Sequence, residues 1–125
     1  MGNVYNGEHT REAFKNFDKE LTLAELGFLK YLFKEEQNKG VELFEQKNKR
    51  YDAAFFKQCE EDGDLSSVTM RLGDKLSRLK SMVKNPDIDP LDESVRDTLV
   101  DIANYATMAL VYLEVVERDE KAKKV

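Results

Sequence analysis

Ser66-Ser67-Val68-Thr69-Met70-Arg71-Leu72-Gly73-Asp74-Lys75-Leu76-Ser77-Arg78-Leu79-Lys80-Ser81-Met82-Val83-Lys84-Asn85-Pro86 is the stretch on which the fold turns. Val68, Leu72, Leu76, Leu79 and Val83 recur at spacings of three and four. That periodicity predicts one apolar stripe on an α-helix, facing a core. Asn85-Pro86 ends the helix, because the residue before a proline is pushed out of the α region.

Toward the C-terminus, Asn85 to Pro90 forms a short loop in which Asp89 and Pro90 suit the N-cap and first turn of another helix. Apolar residues continue to about Glu117, a helix of roughly 40 Å, and so short a loop predicts that it returns antiparallel to its predecessor. The lysine-rich tail from Arg118 to Val125 is expected to fray. Toward the N-terminus, Glu60 to Asp64 is an acidic connection without the alternating ligands of a calcium loop. Thr22-Leu23-Ala24-Glu25 has the spacing of a capping box, so a helix is expected to start at Leu23. Whether it runs through Gly40 into Val41 to Tyr51 stays open, since an interior glycine costs only about 1 kcal/mol against alanine, and two helices or one bent helix are expected. Thr10 to Phe17 is expected to add a short helix packing Phe14 and Phe17.

The expected fold is all-α, a four- or five-helix bundle ending in an antiparallel helical hairpin. It forms one domain over residues 1–125, with 1–40 as a helical extension, 41–117 as the core and 118–125 as the frayed tail. Composition agrees: 36% of residues are charged, 41% are apolar, and prolines number two, which favours amphipathic helices over short strands. A net charge of −5 argues against duplex nucleic acid as a partner, because such binders neutralise many phosphates with Lys and Arg. The lone Cys59 reads as an idle buried thiol and His9 has no role assigned. No stretch approaches the roughly 18 uninterrupted apolar residues of a membrane span and the N-terminus lacks a signal-like apolar run, so a cytoplasmic protein with no membrane partner is expected. The last helix is apolar on nearly all sides, which predicts a homo-oligomer, most simply a dimer, through Leu110, Val111, Tyr112 and Val115.

Three groups of residues carry chemistry. Glu93, Asp97 and Asp101 lie four apart, so the three carboxylates share one helix face, with Asn104 alongside. Two readings stay open: a solvated acidic face near a helix N-terminus, or oxygen ligands for Mg²⁺ or Mn²⁺. On the preceding helix Asp74 is flanked by Arg71, Lys75 and Arg78, a set that either pairs internally at i,i+4 or holds phosphates. Lys47-Asn48-Lys49-Arg50-Tyr51 is a basic run ending in an aromatic that either closes a helix or meets a base.

In this order, the basic run, Arg71 to Leu79 and Asp92 to Tyr105 resemble the nucleotide modification associated domain family, small helical proteins frequent in phages and prophages. The resemblance covers roughly Val41 to Leu113. It implies a nucleotide ligand in a bacterial host or phage-infected cell. That family is in turn similar to the MazG-type all-α nucleoside triphosphate pyrophosphohydrolases, whose helices bind Mg²⁺ through Glu-rich motifs and whose reaction releases pyrophosphate. This chain departs from that pattern. Lys75 and Arg78 follow Asp74 where such enzymes carry paired glutamates, Asp97 and Asp101 are four apart where three is usual, and Asp52 follows Tyr51 where the nucleotide modification associated family commonly has glycine. As a hydrolase, the resemblance implies Glu93, Asp97, Asp101 and Asp74 on Mg²⁺ or Mn²⁺, with Lys47, Lys75 and Arg78 on phosphates. Asn104 with Tyr51 or Tyr105 would contact base or sugar, and Asn48 and Arg71 complete the nucleotide set. The alternatives are a sequestering module with the same pocket and no turnover, and a helical oligomerisation or adaptor protein.

Overall fold

The computed structural model describes residues 21–51, 53–89 and 91–124. Within them four helices follow one another: α1 (Leu23–Tyr51), α2 (Ala54–Asp62), α3 (Ser66–Lys84) and α4 (Glu93–Lys123). The fold is an all-α bundle, with no strand among the described residues. The helix expected over Thr10 to Phe17 lies outside them.

α1 begins where the capping box places it. The Thr22 N–H donates to Glu25 Oε1 and the Glu25 N–H donates to Thr22 Oγ1, both at 3.1 Å, so two otherwise orphaned donors are satisfied reciprocally. The helix then runs without a break through Gly40 for 29 residues. Gly40 is buried, and a Cβ built there would lie 2.9 Å from Asn104 Oδ1 on α4. In that space Asn104 donates from Nδ2 to the Gly40 carbonyl at 3.1 Å. The glycine is thus a point of close helix approach, and the boundary expected near residue 40 falls inside a continuous helix. Ala53, at φ 56°, turns the chain through the left-handed region into α2, and Gly63, at φ 70°, closes α2 with its N–H on the Cys59 carbonyl at 2.9 Å.

α3 starts at Ser66 and stops before Asn85-Pro86 as expected, but its inward stripe is rotated from the leucine pattern. Val68 and Met82 are buried and Leu72, Lys75 and Leu79 half-buried, whereas Leu76 and Val83 face outward. The seam therefore runs 68, 72, 75, 79, 82, a heptad-like register. Lys75 occupies one of its apolar slots because its ammonium finds a carboxylate across the seam.

The start of α4 also differs. Asp92, three residues beyond Asp89, is the N-cap, accepting from the Ser94 N–H at 2.8 Å and from Ser94 Oγ at 2.7 Å. Asp89 instead closes the preceding turn, accepting from the Leu91 N–H at 2.9 Å. At the other end the tail does not fray at Arg118. α4 continues to Lys123, supported by the i,i+4 pairs Glu114–Arg118, Glu117–Lys121 and Asp119–Lys123 at 2.8–3.1 Å.

α3 and α4 form the expected antiparallel hairpin, with Lys75 opposite Asp101 and Met82 opposite Thr98. α1 runs parallel to α4, as Glu36 meets Arg96 and Gly40 meets Asn104. The main core joins Phe55, Cys59, Val68, Met108 and Ala109, with Phe44, Leu72, Tyr105 and Tyr112 packed around it. Cys59 is fully buried, as expected of an idle thiol, and its carbonyl accepts from the Tyr112 hydroxyl at 3.3 Å.

The glycines yield a test. Gly27 and Gly73 lie within helices and have open space where a Cβ would stand. Gly27→Ala and Gly73→Ala should each raise stability by about 0.5–1 kcal/mol through helix propensity. Gly40→Ala should show no such gain, because its Cβ must displace Asn104 and break the bond to the residue 40 carbonyl. Thermal melts of the three variants separate these outcomes.

Candidate functional site

At the middle of the seam Asp101 draws on two other helices. Lys47 of α1 donates to its Oδ1 at 3.0 Å and Lys75 of α3 donates to its Oδ2 at 2.9 Å. The Asp101 side chain is only 16% exposed, against 26% for Lys75 and 46% for Lys47. Two ammonium groups thus share one carboxylate, and the triad carries one surplus positive charge at the edge of the bundle. Exposure on the lysine side keeps the pairs modest, on the order of 1 kcal/mol or less each. Burial pushes the Asp101 carboxyl up, but the hydrogen bonds from Lys75 and Lys47, with their charges, outweigh it and hold the group below its ordinary value.

One turn along α3 and α4 lies a second rung, completed by α2 in place of α1. The Arg71 guanidinium stands 5.7 Å from the Phe55 ring centroid and 5.9 Å from that of Tyr105. Those two rings stack at 6.0 Å with an interplanar angle of 20°. This is a cation-π arrangement on an aromatic pair, with Arg71 and Tyr105 half-buried and Phe55 buried. On its outer side Arg71 borders an open depression of about 560 Å³, whose wall also includes Gln58, Asp64, Ser66 and Asp74.

Of the residues expected at a site, the fold gathers Lys47, Arg71, Lys75, Asp101 and Tyr105 on adjacent turns. Asn48 and Asn104 sit beside them, and both use their amides on backbone: Asn48 Nδ2 donates to the Phe44 carbonyl at 2.9 Å, and Asn104 binds Gly40. Glu93, Asp97, Asp74 and Arg78 are exposed and take no part in the triad. The Tyr51 side chain lies outside the described residues. Among the described residues no three His, Cys, Asp or Glu side chains converge as a metal-binding group. As folded, Glu93, Asp97, Asp101 and Asp74 do not fit a donor set for a resident divalent ion, since Asp101 faces two ammonium groups while the others point to solvent.

Two participants escaped the sequence reading. Phe55, the platform under Arg71, lies in a nine-residue helix too short for a periodic signal, and its only cue is the Phe55-Phe56 pair after the basic run. Gly40 shows its role only through the helix that crosses it.

Among protein-family models, one described as Nucleotide modification associated domain 1 matches residues 47–113. The matched stretch starts at Lys47 and contains Arg71, Lys75, Asp101 and Tyr105, so both rungs lie inside it. No curated protein and no solved structure matches the chain.

The acid side of the stability profile reports on the triad. Because the folded Asp101 carboxyl titrates below its unfolded value of about 3.9, its contribution is complete above that pH and is lost as pH falls through the folded value. Denaturant unfolding of the wild type and Asp101→Asn should differ by about 1 kcal/mol at pH 7. The gap should close toward pH 2.

Proposed function

Since the chain belongs to the Nucleotide modification associated domain 1 family, we propose that it captures a nucleotide by its phosphate groups at Lys47 and Lys75. The observation that supports this reading is the placement of Lys75 in a seam position that packing alone would fill with an apolar residue. Desolvating an ammonium there costs stability, and apolar replacements of such pairs are often neutral or stabilising. In this reading a phosphate replaces the Asp101 carboxylate as the anion between the two lysines, and Asp101 swings toward water. The Arg71–Tyr105 rung, one turn away, meets the sugar or base, where a guanidinium over aromatic rings offers both charge and a flat surface.

Capture without turnover is the form we favour. Hydrolysis of a phosphoanhydride requires stabilisation of developing charge and an activated water. The best-placed acid, Asp101, is held by two cations, and Glu93 and Asp97 stand in solvent. Magnesium-assisted pyrophosphate release, implied by the similarity to MazG-type enzymes, is the second reading. It would require Asp101 to leave both lysines and meet other acids.

Calorimetric titration with a panel of nucleoside mono-, di- and triphosphates, with and without Mg²⁺, tests the proposal when paired with an assay for pyrophosphate release. Binding should require a phosphate, since an unphosphorylated nucleoside leaves the lysines with nothing to gain. Lys75→Ala should weaken affinity by about 1.5–3 kcal/mol, for a lost charged hydrogen bond. The double variant Lys75→Met with Asp101→Leu should remain folded and still lose binding. Pyrophosphate release would decide for the hydrolase, and absence of binding to every nucleotide would overturn both readings.

A further inference from the structure

We propose that the site selects nucleoside monophosphates over the di- and triphosphates of the same nucleoside. This selection rests on phosphate capture at Lys47 and Lys75. What adds to it is a short cationic strip with carboxylates at both of its ends.

The gap between the two lysines is one anionic group wide. Lys47 donates to Oδ1 and Lys75 to Oδ2 of a single carboxylate, at 3.0 and 2.9 Å. One phosphoryl group can present two oxygens to the two ammonium groups in the same way, and it then occupies both. The next cation along α3 is Arg71, one turn away, a rise of about 6 Å. Three cations against the Asp101 carboxylate leave a surplus of two positive charges. A phosphate monoester brings about −1.5 to −2 at pH 7, so one phosphate balances the strip.

Further phosphates have to leave it. Arg71 meets Tyr105, which follows Asp101 on α4, so the other side of the triad belongs to the turns that precede Asp101. Those turns carry Asp97 and then Glu93, about 6 and 12 Å along the helix. Both are exposed and, among the described residues, neither has an ion-pair partner. Arg78, exposed on α3, offsets one of the two. On the outer side of Arg71 the depression of about 560 Å³ is walled by Asp62, Asp64 and Asp74. A triphosphate laid in either direction therefore brings its outer phosphates beside carboxylates, where like charges repel. A sugar and a base carry no charge and meet no such repulsion. Carboxylates also accept hydrogen bonds from base amino groups, so the depression beside Arg71 suits the nucleoside end of the ligand.

The test is calorimetric titration of the full chain with the mono-, di- and triphosphates of the four common deoxynucleosides, in EDTA and again with Mg²⁺. For whichever base binds, the monophosphate should bind about tenfold more tightly than the triphosphate at low salt, with the diphosphate between them. The double variant Glu93→Gln with Asp97→Asn, at two exposed positions outside the triad, should raise triphosphate affinity roughly threefold or more and leave monophosphate affinity nearly unchanged. A triphosphate that binds as tightly as its monophosphate overturns the selection while phosphate capture stands. One that overtakes the monophosphate only when Mg²⁺ is present overturns it in favour of the magnesium-assisted reading. A preference that the double variant leaves untouched removes the carboxylates as its cause and overturns it too. Absence of binding by every nucleotide is the separate failure of phosphate capture itself, and the selection falls with it.

Discussion

The ion triad of Lys47, Lys75 and Asp101 is the constraint around which the described helices are arranged. Among the described residues it is the one place where α1, α3 and α4 meet through side-chain charge, and on α3 it fills a seam position between Leu72 and Leu79. Removing one partner strands a half-buried charge, whereas replacing the α3–α4 pair by apolar groups would cost little. A charged group that stability alone does not ask for, placed at the centre of a packing interface, is what the proposed anion site requires. The neighbouring Arg71 on the Phe55–Tyr105 stack repeats the pattern one turn away.

Most of the fold was legible because its signals are local. The Thr22–Glu25 capping box, the Asn85-Pro86 stop and the brevity of the loop after it each act within a few residues, and each has the predicted consequence. Errors came where two local signals compete or where a distant contact decides. Asp89 and Asp92 are both competent caps, and the one followed by serine wins because Ser94 offers it both an N–H and a hydroxyl. The C-terminal tail contains enough lysine to suggest fraying, but its acids stand four residues before its bases and hold the helix to Lys123. Gly40 is the clearest long-range case: its reason is the Asn104 amide, 64 residues away in sequence.

The site was half legible. Charged residue types and their order pointed to Lys47, Lys75 and Asp101, but periodicity placed Asp101 with Glu93 and Asp97 on one face. A shared face on a helix does not imply a shared environment: two of those carboxylates look outward and the third looks across the seam. The leucine stripe was misread for the same reason. Leu76 fits the spacing as well as Lys75 does, and a hydrophobicity pattern always prefers the leucine, so a lysine in a core slot is invisible until its carboxylate is located. With Asp101 paired to two lysines, the ligand we propose for this place is an anion and not a cation.

Side-chain carboxyl and ammonium resonances of the labelled protein, followed as inorganic pyrophosphate is added, show whether a phosphate takes the place of the Asp101 carboxylate. Exchange of the carboxylate for phosphate predicts that Asp101, Lys47 and Lys75 shift together and saturably, with the Asp101 carboxyl moving back up toward its ordinary titration range as it loses its two cations. Saturable binding that shifts other residues and leaves these three unchanged would contradict it.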